Sequence, residues 1–282
     1  MGLFNFQKPG PGIEKNAPKK KGIFLFFEIL ARKLWKFCPI NILYFILSIP
    51  MIAIYFFSST PVVTQTVNSI NLPDTITNAD IMVSLSLFYI VVMLIFLGSG
   101  PASAALSYIQ RCFAREEHTW IGKDFISKLK ENFKQGIIVS VIDTVVINLG
   151  FFALFFYYNY FVKTQDKMWY ILMCILAVVI VLYVFAHFYI YQLMITFNSK
   201  ISVHYKNALL LALMTLPMNL ILTAIVGIVC FGLCVLLEPV LSLCITLLIL
   251  VSLLRFPIEY YAQSVIKRKI LNNIEKSEES KS

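Results

Sequence analysis

Asp143 and His187 are two of the few ionisable residues that interrupt the long apolar runs of this chain. A carboxylate and an imidazole in apolar surroundings can relay a proton, hold a polar substrate group, or bond to each other. Asp143 lies about seven residues into the run 136–158, roughly 10 Å from its start at 1.5 Å per residue. His187 lies about eight residues from the end of the run 168–195, at a similar depth. Consecutive runs form a hairpin, so the two side chains can meet. Asn148, Thr215 and Asn219 add polarity in the same half or near mid-depth. A charged Asp at the centre of a span costs roughly 3 kcal/mol on insertion scales, so Asp143 should face protein or water. A proton or substrate relay is one reading. An interhelical hydrogen bond that fixes packing is the other, and it is preferred because no second carboxylate and no buried Arg or Lys is expected nearby.

Other reactive patterns are absent from the sequence. The remaining histidines are His118 and His204, and no HExxH, CxxC, GxSxG or Walker pattern occurs. Glu116 and Glu117 are adjacent, so on a helix they do not face each other, and "REEH" reads as a solvated charge cluster. Cys230 and Cys234 share a helix face without a His or carboxylate beside them, so all six cysteines read as packing residues. No catalytic residue, metal ligand or cofactor is expected, and the protein is expected not to be an enzyme.

The elements that must position Asp143 and His187 follow from composition. The chain is 59% hydrophobic and only 14% charged, against about 25% charged in soluble domains. Apolar runs near twenty residues predict an all-α, polytopic membrane helical bundle of six spans: 37–57, 81–100, 136–158, 168–195, 208–237 and 239–258. Glu238-Pro239 alone separates the last two. Of the 24 Lys and Arg, all but Lys163 and Lys167 fall in the N-terminal segment, the second-to-third loop, the fourth-to-fifth loop or the C-terminal end. This asymmetry predicts both termini in the cytoplasm, so the net charge of +9 is a topology signal rather than a nucleic-acid footprint. The expected layout is a cytoplasmic tail and surface helix over 1–36, a membrane domain over 37–260, and a charged cytoplasmic tail over 261–282. The largest outer loop is expected over 58–80.

Two amphipathic stretches and one small-residue stretch elaborate the basic side. "IFLFFEILARKLWKF" (23–37) carries apolar residues at helical spacing and predicts a helix lying on the membrane surface. Within the loop 111–135, Trp120, Ile121, Phe125, Leu129 and Phe133 form an apolar stripe. A helix resting on lipid headgroups and a helix docking on a partner fit it equally. Asp124 precedes Lys128 by four residues, the favourable order for a pair. "GSGPASAALS" (98–107) places Gly98 and Ala102, Gly100 and Ala104, and Ser99, Ser103 and Ser107 four apart. Small residues at this spacing let helix backbones approach closely, and Pro101 is expected to bend the segment. Packing against another helix of the same chain is preferred; a partner's helix is the alternative.

The blocks "NILYFILSIP" (41–50), "GPASAALSYIQRCFAREEHTWIGKDFISKLKENFKQG" (100–136) and "KISVHYKNALLLALMTLP" (200–217) resemble the YesL family of bacterial multi-pass membrane proteins. That family has no assigned reaction. Its members are often encoded beside carbohydrate ABC importers. The resemblance implies a bacterial cytoplasmic-membrane location and an accessory or scaffold role, with the permease subunits of a sugar ABC importer and the lipid bilayer as partners. The alternatives are a small secondary transporter using Asp143 and His187, or a scaffold unconnected with transport.

Overall fold

A computed structural model describes residues 22–69 and 78–272. Every regular element among them is helical: α1 (Ile23–Ser69), α2 (Asn78–Phe96), α3 (Pro101–Ala114), α4 (Ile121–Glu131), α5 (Phe133–Thr164), α6 (Lys167–Met194), α7 (Ile201–Met214) and α8 (Leu216–Val235). A last rod runs unbroken from Pro239 to Leu271, as α9 (Pro239–Ile245), a π turn at Thr246–Leu250, α10 (Val251–Ile266) and a second π turn at Lys267–Leu271. In lipid each backbone polar group needs an internal partner, which is why apolar runs of this length fold as helices. Five of the described helices are long and apolar enough to cross a membrane, and six crossings result if α2 and α3 form one bent span.

Local chemistry sets the turns. Gln165 closes α5 in the left-handed conformation, and its N–H donates to the Phe161 carbonyl. Asp166 then caps α6 by accepting from the Met168 N–H at 3.0 Å. Glu238 accepts from the Leu241 N–H at 2.9 Å, and Pro239 starts α9 where its missing N–H costs nothing. α10 lies at the centre, packed on α1, α2, α3 and α6, while α5, α6 and α7 pack side by side. The outer faces remain apolar: Ile137, Val141, Val145, Leu149 and Phe152 form an exposed row on α5. Such a row suits lipid, not water. Where α5 meets α6, Phe156, Tyr160 and Trp169 cluster with ring centres 4.5 and 4.9 Å apart, as aromatic residues do at a membrane boundary.

Several sequence expectations change. Among the described residues no separate surface helix precedes the first span. Residues 23–37 are the start of α1: Phe26 stacks on Phe256 and meets Tyr260 edge-on, and Ile29 is buried, so that apolar face is used against α10. At its other end α1 continues through residues 58–69 of the expected outer loop; 70–77 lie outside the described residues. The expected fifth span divides at Thr215 into α7 and α8, and Pro217 sits in the first turn of α8. The last rod passes Ile258 and reaches Leu271, so 261–271 is helix rather than tail, while 273–282, like 1–21, lies outside the described residues.

The Gly22 carbonyl accepts from the Tyr260 hydroxyl at 3.3 Å, which puts the first and last described segments at one end of the bundle. That basic end also holds α4 and the turn from α6 to α7, where Gln135 donates to the Ser199 carbonyl. Cysteines at two exposed positions, Thr164 and Ser127, test the arrangement in a cysteine-free background. An impermeant thiol reagent outside intact cells should modify Thr164→Cys and spare Ser127→Cys. Reaction of Ser127→Cys from outside would reverse the orientation.

Candidate functional site

The site is built around the break between α2 and α3. Gly98 and Gly100 have φ of 91° and 67°, a region open to glycine and costly to other residues. The Gly98 N–H reaches back to the Met93 carbonyl at 2.9 Å instead of the Leu94 carbonyl that an α-helix would use. The two helices meet at 64°. Pro101 is not the cause of a kink in a continuous span, as expected from sequence; it occupies the first turn of α3, where proline fits. Ser103, inside that turn, accepts from the Ser99 N–H at 2.7 Å and so ties the break to the start of α3.

A break inside a bundle frees backbone groups, and each needs a partner. The Leu94 carbonyl accepts from the Tyr44 hydroxyl at 3.2 Å and from Arg255 Nη1 at 3.4 Å. The Gly98 carbonyl accepts from the Tyr55 hydroxyl at 2.7 Å, and the Gly100 N–H donates to the Tyr191 hydroxyl at 3.2 Å. Ser48 and Ser99 share a hydrogen bond at 2.6 Å. The small residues make room for this convergence. Ala102, Ser103 and Ala104 are buried, and the backbone at Pro101 lies against Gly136 of α5. Gly98, Gly100, Ser103 and Ala104 are therefore spent on packing within the chain, while Pro101 and Ala102 also line an open apolar groove of about 460 Å³ with Leu47, Leu129 and Phe133.

Arg255 and Glu259 hold the arrangement. Arg255 Nε donates to Glu259 Oε1 at 2.9 Å, and Nη1 donates to Ser103 Oγ at 3.0 Å. The guanidinium also lies 5.1 Å from the centre of the Tyr191 ring. Gln192 donates to Glu259 Oε2 at 2.6 Å, and the Ser107 hydroxyl donates to Oε1. The charge asymmetry groups Arg255 with the basic residues of the C-terminal end. It is buried, and so is Glu259. A cation beside the free carbonyl end of α2 is favourable, and its charge is matched one helical turn away.

Asn41 makes a second clamp on the same rod. Its side-chain amide donates to the Thr246 and Leu247 carbonyls, both at 2.8 Å, and its oxygen accepts from the Ser252 N–H at 2.8 Å. These are the groups that the π turn at 246–250 displaces from the helix ladder. Asn41, Arg255, Glu259, Gln192 and Tyr191 were not anticipated. The available signal was the spacing Arg255, Glu259, Gln263 within an apolar run.

Asp143 and His187 lie on the other side of Tyr191. His187 Nε2 is 2.9 Å from Asp143 Oδ1, and the Tyr183 hydroxyl donates to that same oxygen at 2.6 Å. Tyr183, His187 and Tyr191 follow one face of α6 at four-residue spacing. Asp143 Oδ2, both ring nitrogens of His187, Ser140 Oγ and the Tyr205 hydroxyl are buried without an aligned hydrogen bond. Asn219 and Thr215 belong elsewhere: both bond to the Tyr189 hydroxyl. Asn148 donates to the Thr144 carbonyl of its own helix.

The expected docking stripe is largely consumed internally. Phe125 is 0% exposed, and Ile121 and Leu129 pack on the same core, so α4 is fastened to α3. Trp120, at 69%, and Phe133 remain exposed. Asp124 does not pair with Lys128. It accepts from the Thr119 hydroxyl and the Trp120 N–H, both at 2.8 Å, and so closes the start of α4, while Lys128 pairs with Glu131 at 2.6 Å. In the charge cluster Glu116 pairs with Arg32 and Glu117 with Arg115. Two open polar clefts flank this end. One of about 600 Å³ is lined by Arg115, Glu117, Gln263, Lys267 and Arg268, and one of about 580 Å³ by Lys130, Glu131, Asn132, Lys134 and Asn198. Among the described residues, no group of three or more His, Cys, Asp or Glu could hold a metal ion.

Residues 81–160 match the model of a family described as a protein of unknown function, DUF624. The match runs from α2 into α5. It includes the break, α4 and Asp143, and it stops before His187, Arg255 and Glu259. No curated protein and no solved structure matches the chain.

Proposed function

We propose that the protein is a non-enzymatic accessory subunit or scaffold of a bacterial cell membrane, engaging its partner at the basic end of the bundle. The observation that carries this reading is the pair of polar clefts at that end, one between the α3–α4 turn and the last rod and one between the end of α4 and the α6–α7 turn. Each offers charges of both signs at an open surface, the pattern of a polar interface rim. On the same turn as Arg115 and Glu117, Trp120 stacks edge-on with His118, ring centres 5.3 Å apart, and is exposed enough to act as an interface anchor. The positive-inside rule places this end in the cytoplasm. The resemblance to the YesL family supports the permease subunits of a carbohydrate ABC importer as the partner.

Affinity purification from native membranes in mild detergent tests the reading. Such permeases should co-purify with the wild-type protein. Trp120→Ala combined with Lys267→Glu and Arg268→Glu should reduce their recovery by about tenfold or more, as loss of an interface anchor does, with unchanged gel-filtration behaviour. Recovery of no permease with the wild type would remove the importer from the reading. Undiminished recovery with the triple variant would remove the clefts.

A further inference from the structure

We propose that the groove between α1 and α5 holds one acyl chain of an anionic glycerophospholipid, with the lipid phosphate at Lys134. α1 and α5 barely touch. The gap between them is the open groove of about 460 Å³, with Leu47 and Ile54 on the α1 wall and Ile137 and Val145 on the α5 wall. Ala102, at the helix break, lies on its floor. The hydroxyls along the floor are turned inward. Ser99 bonds to Ser48, Thr144 donates to the Ser140 carbonyl, and Ser140 Oγ is shut in against Gly100. What faces a ligand in the groove is therefore mainly hydrocarbon.

Size selects the occupant. From Phe133 to Val145 the groove follows α5 for about 18 Å at 1.5 Å per residue, close to one leaflet, half of the ~30 Å hydrocarbon layer. Over that length it averages about 5 Å across, room for one chain of carbons at contact distances of about 3.5–4.0 Å. A helix is about 10 Å thick and could only lie over the groove. Charge selects the headgroup. Lys134 precedes Ile137, Val141 and Val145 by three, seven and eleven residues, so it heads the stripe that forms the α5 wall. Groove and polar cleft share a rim there, where Phe133 lines the one and Lys130 and Lys134 line the other. Both lysines are exposed, and among the described residues neither has an ion-pair partner, because the neighbouring Glu131 pairs with Lys128. Lysines at a membrane surface attract anionic lipid. The inference needs no partner protein, and its test is read on the purified chain, so it stands or falls apart from the accessory reading.

Photolabelling of the purified full-length protein in phosphatidylcholine nanodiscs tests it, with phosphatidylglycerol carrying a diazirine in one acyl chain as the probe. Irradiation should label Met51 and Ala102, buried lining residues that lipid around the outer faces does not reach. The same diazirine on phosphatidylcholine should label only exposed residues such as Leu149 and Phe152. Val141→Trp, at an exposed position on the α5 wall, fills the groove and should abolish labelling of Met51 and Ala102 while sparing that of Leu149 and Phe152. Lys134→Glu should keep the site but require about tenfold more phosphatidylglycerol probe for half-maximal labelling, as reversal of one charge at a membrane surface does. The wild-type comparison of the two probes decides the matter even if Val141→Trp does not fold. Absence of label at Met51 and Ala102, as when a helix of a second copy covers the groove, would overturn the proposal. So would equal labelling by the two probes, or full labelling in Val141→Trp.

Discussion

Gly100→Leu should leave no folded protein. At φ 67° a side chain costs about 1–2 kcal/mol from backbone sterics alone. Any Cβ there would also stand 2.0 Å from Ser140 Oγ and 2.5 Å from the Gly136 carbonyl oxygen. Serine can rotate, but the carbonyl belongs to α5 and cannot move without moving the helix. Gly136→Leu should do the same, since its Cβ would meet the Pro101 nitrogen at 2.5 Å. Gly122→Ala is the control: nothing lies within 4 Å of a Cβ there. Fluorescence-detected gel filtration of the three variants, purified without any partner, reads the result. A monodisperse, thermally stable Gly100→Leu protein would show that α3 and α5 do not meet as described.

The second large effect is expected at the buried ion pair. Arg255→Leu should lose about 3–5 kcal/mol, because Glu259 would remain as an uncompensated buried charge. The Leu94 carbonyl keeps Tyr44, so the break loses only part of its support. Glu259→Leu should lose a similar amount, since the guanidinium keeps Ser103 but not its counter-charge. Unfolding of each variant in a mixed detergent titration measures both losses.

Much of this architecture was legible in the sequence, and the exceptions have physical reasons. The apolar runs mark the helices because the bilayer leaves the backbone no other choice. The stretch 98–107 reads as a thin, bent place, and it is one. The bend comes from Gly98 and Gly100, while Pro101 begins the next helix, a distinction that rests on φ and is invisible in residue order. Asp143 and His187 are adjacent in space, as their equal depth on a hairpin suggested. Arg255 was misplaced because the apolar run ends near Ile258 whereas the helix continues to Leu271, so a residue near the end of the run is near the middle of the rod. The clamp of Asn41 on Thr246 spans 205 residues, and no local pattern reports it. The stripes on 23–37 and on α4 state that a face must be covered. They do not state that Phe256 and Tyr260 cover one and that α3 covers the other.

The Arg255–Glu259 pair helps close the break between α2 and α3 from within the chain. The most direct test is the double-mutant cycle of Arg255→Leu and Glu259→Leu, measured as unfolding free energies of the purified protein. Removing both charges leaves neither one buried alone. The double variant should therefore be more stable than either single variant, so the coupling should exceed the larger single loss, more than about 3 kcal/mol. Losses that add would contradict the account, because the two side chains would then act independently of each other.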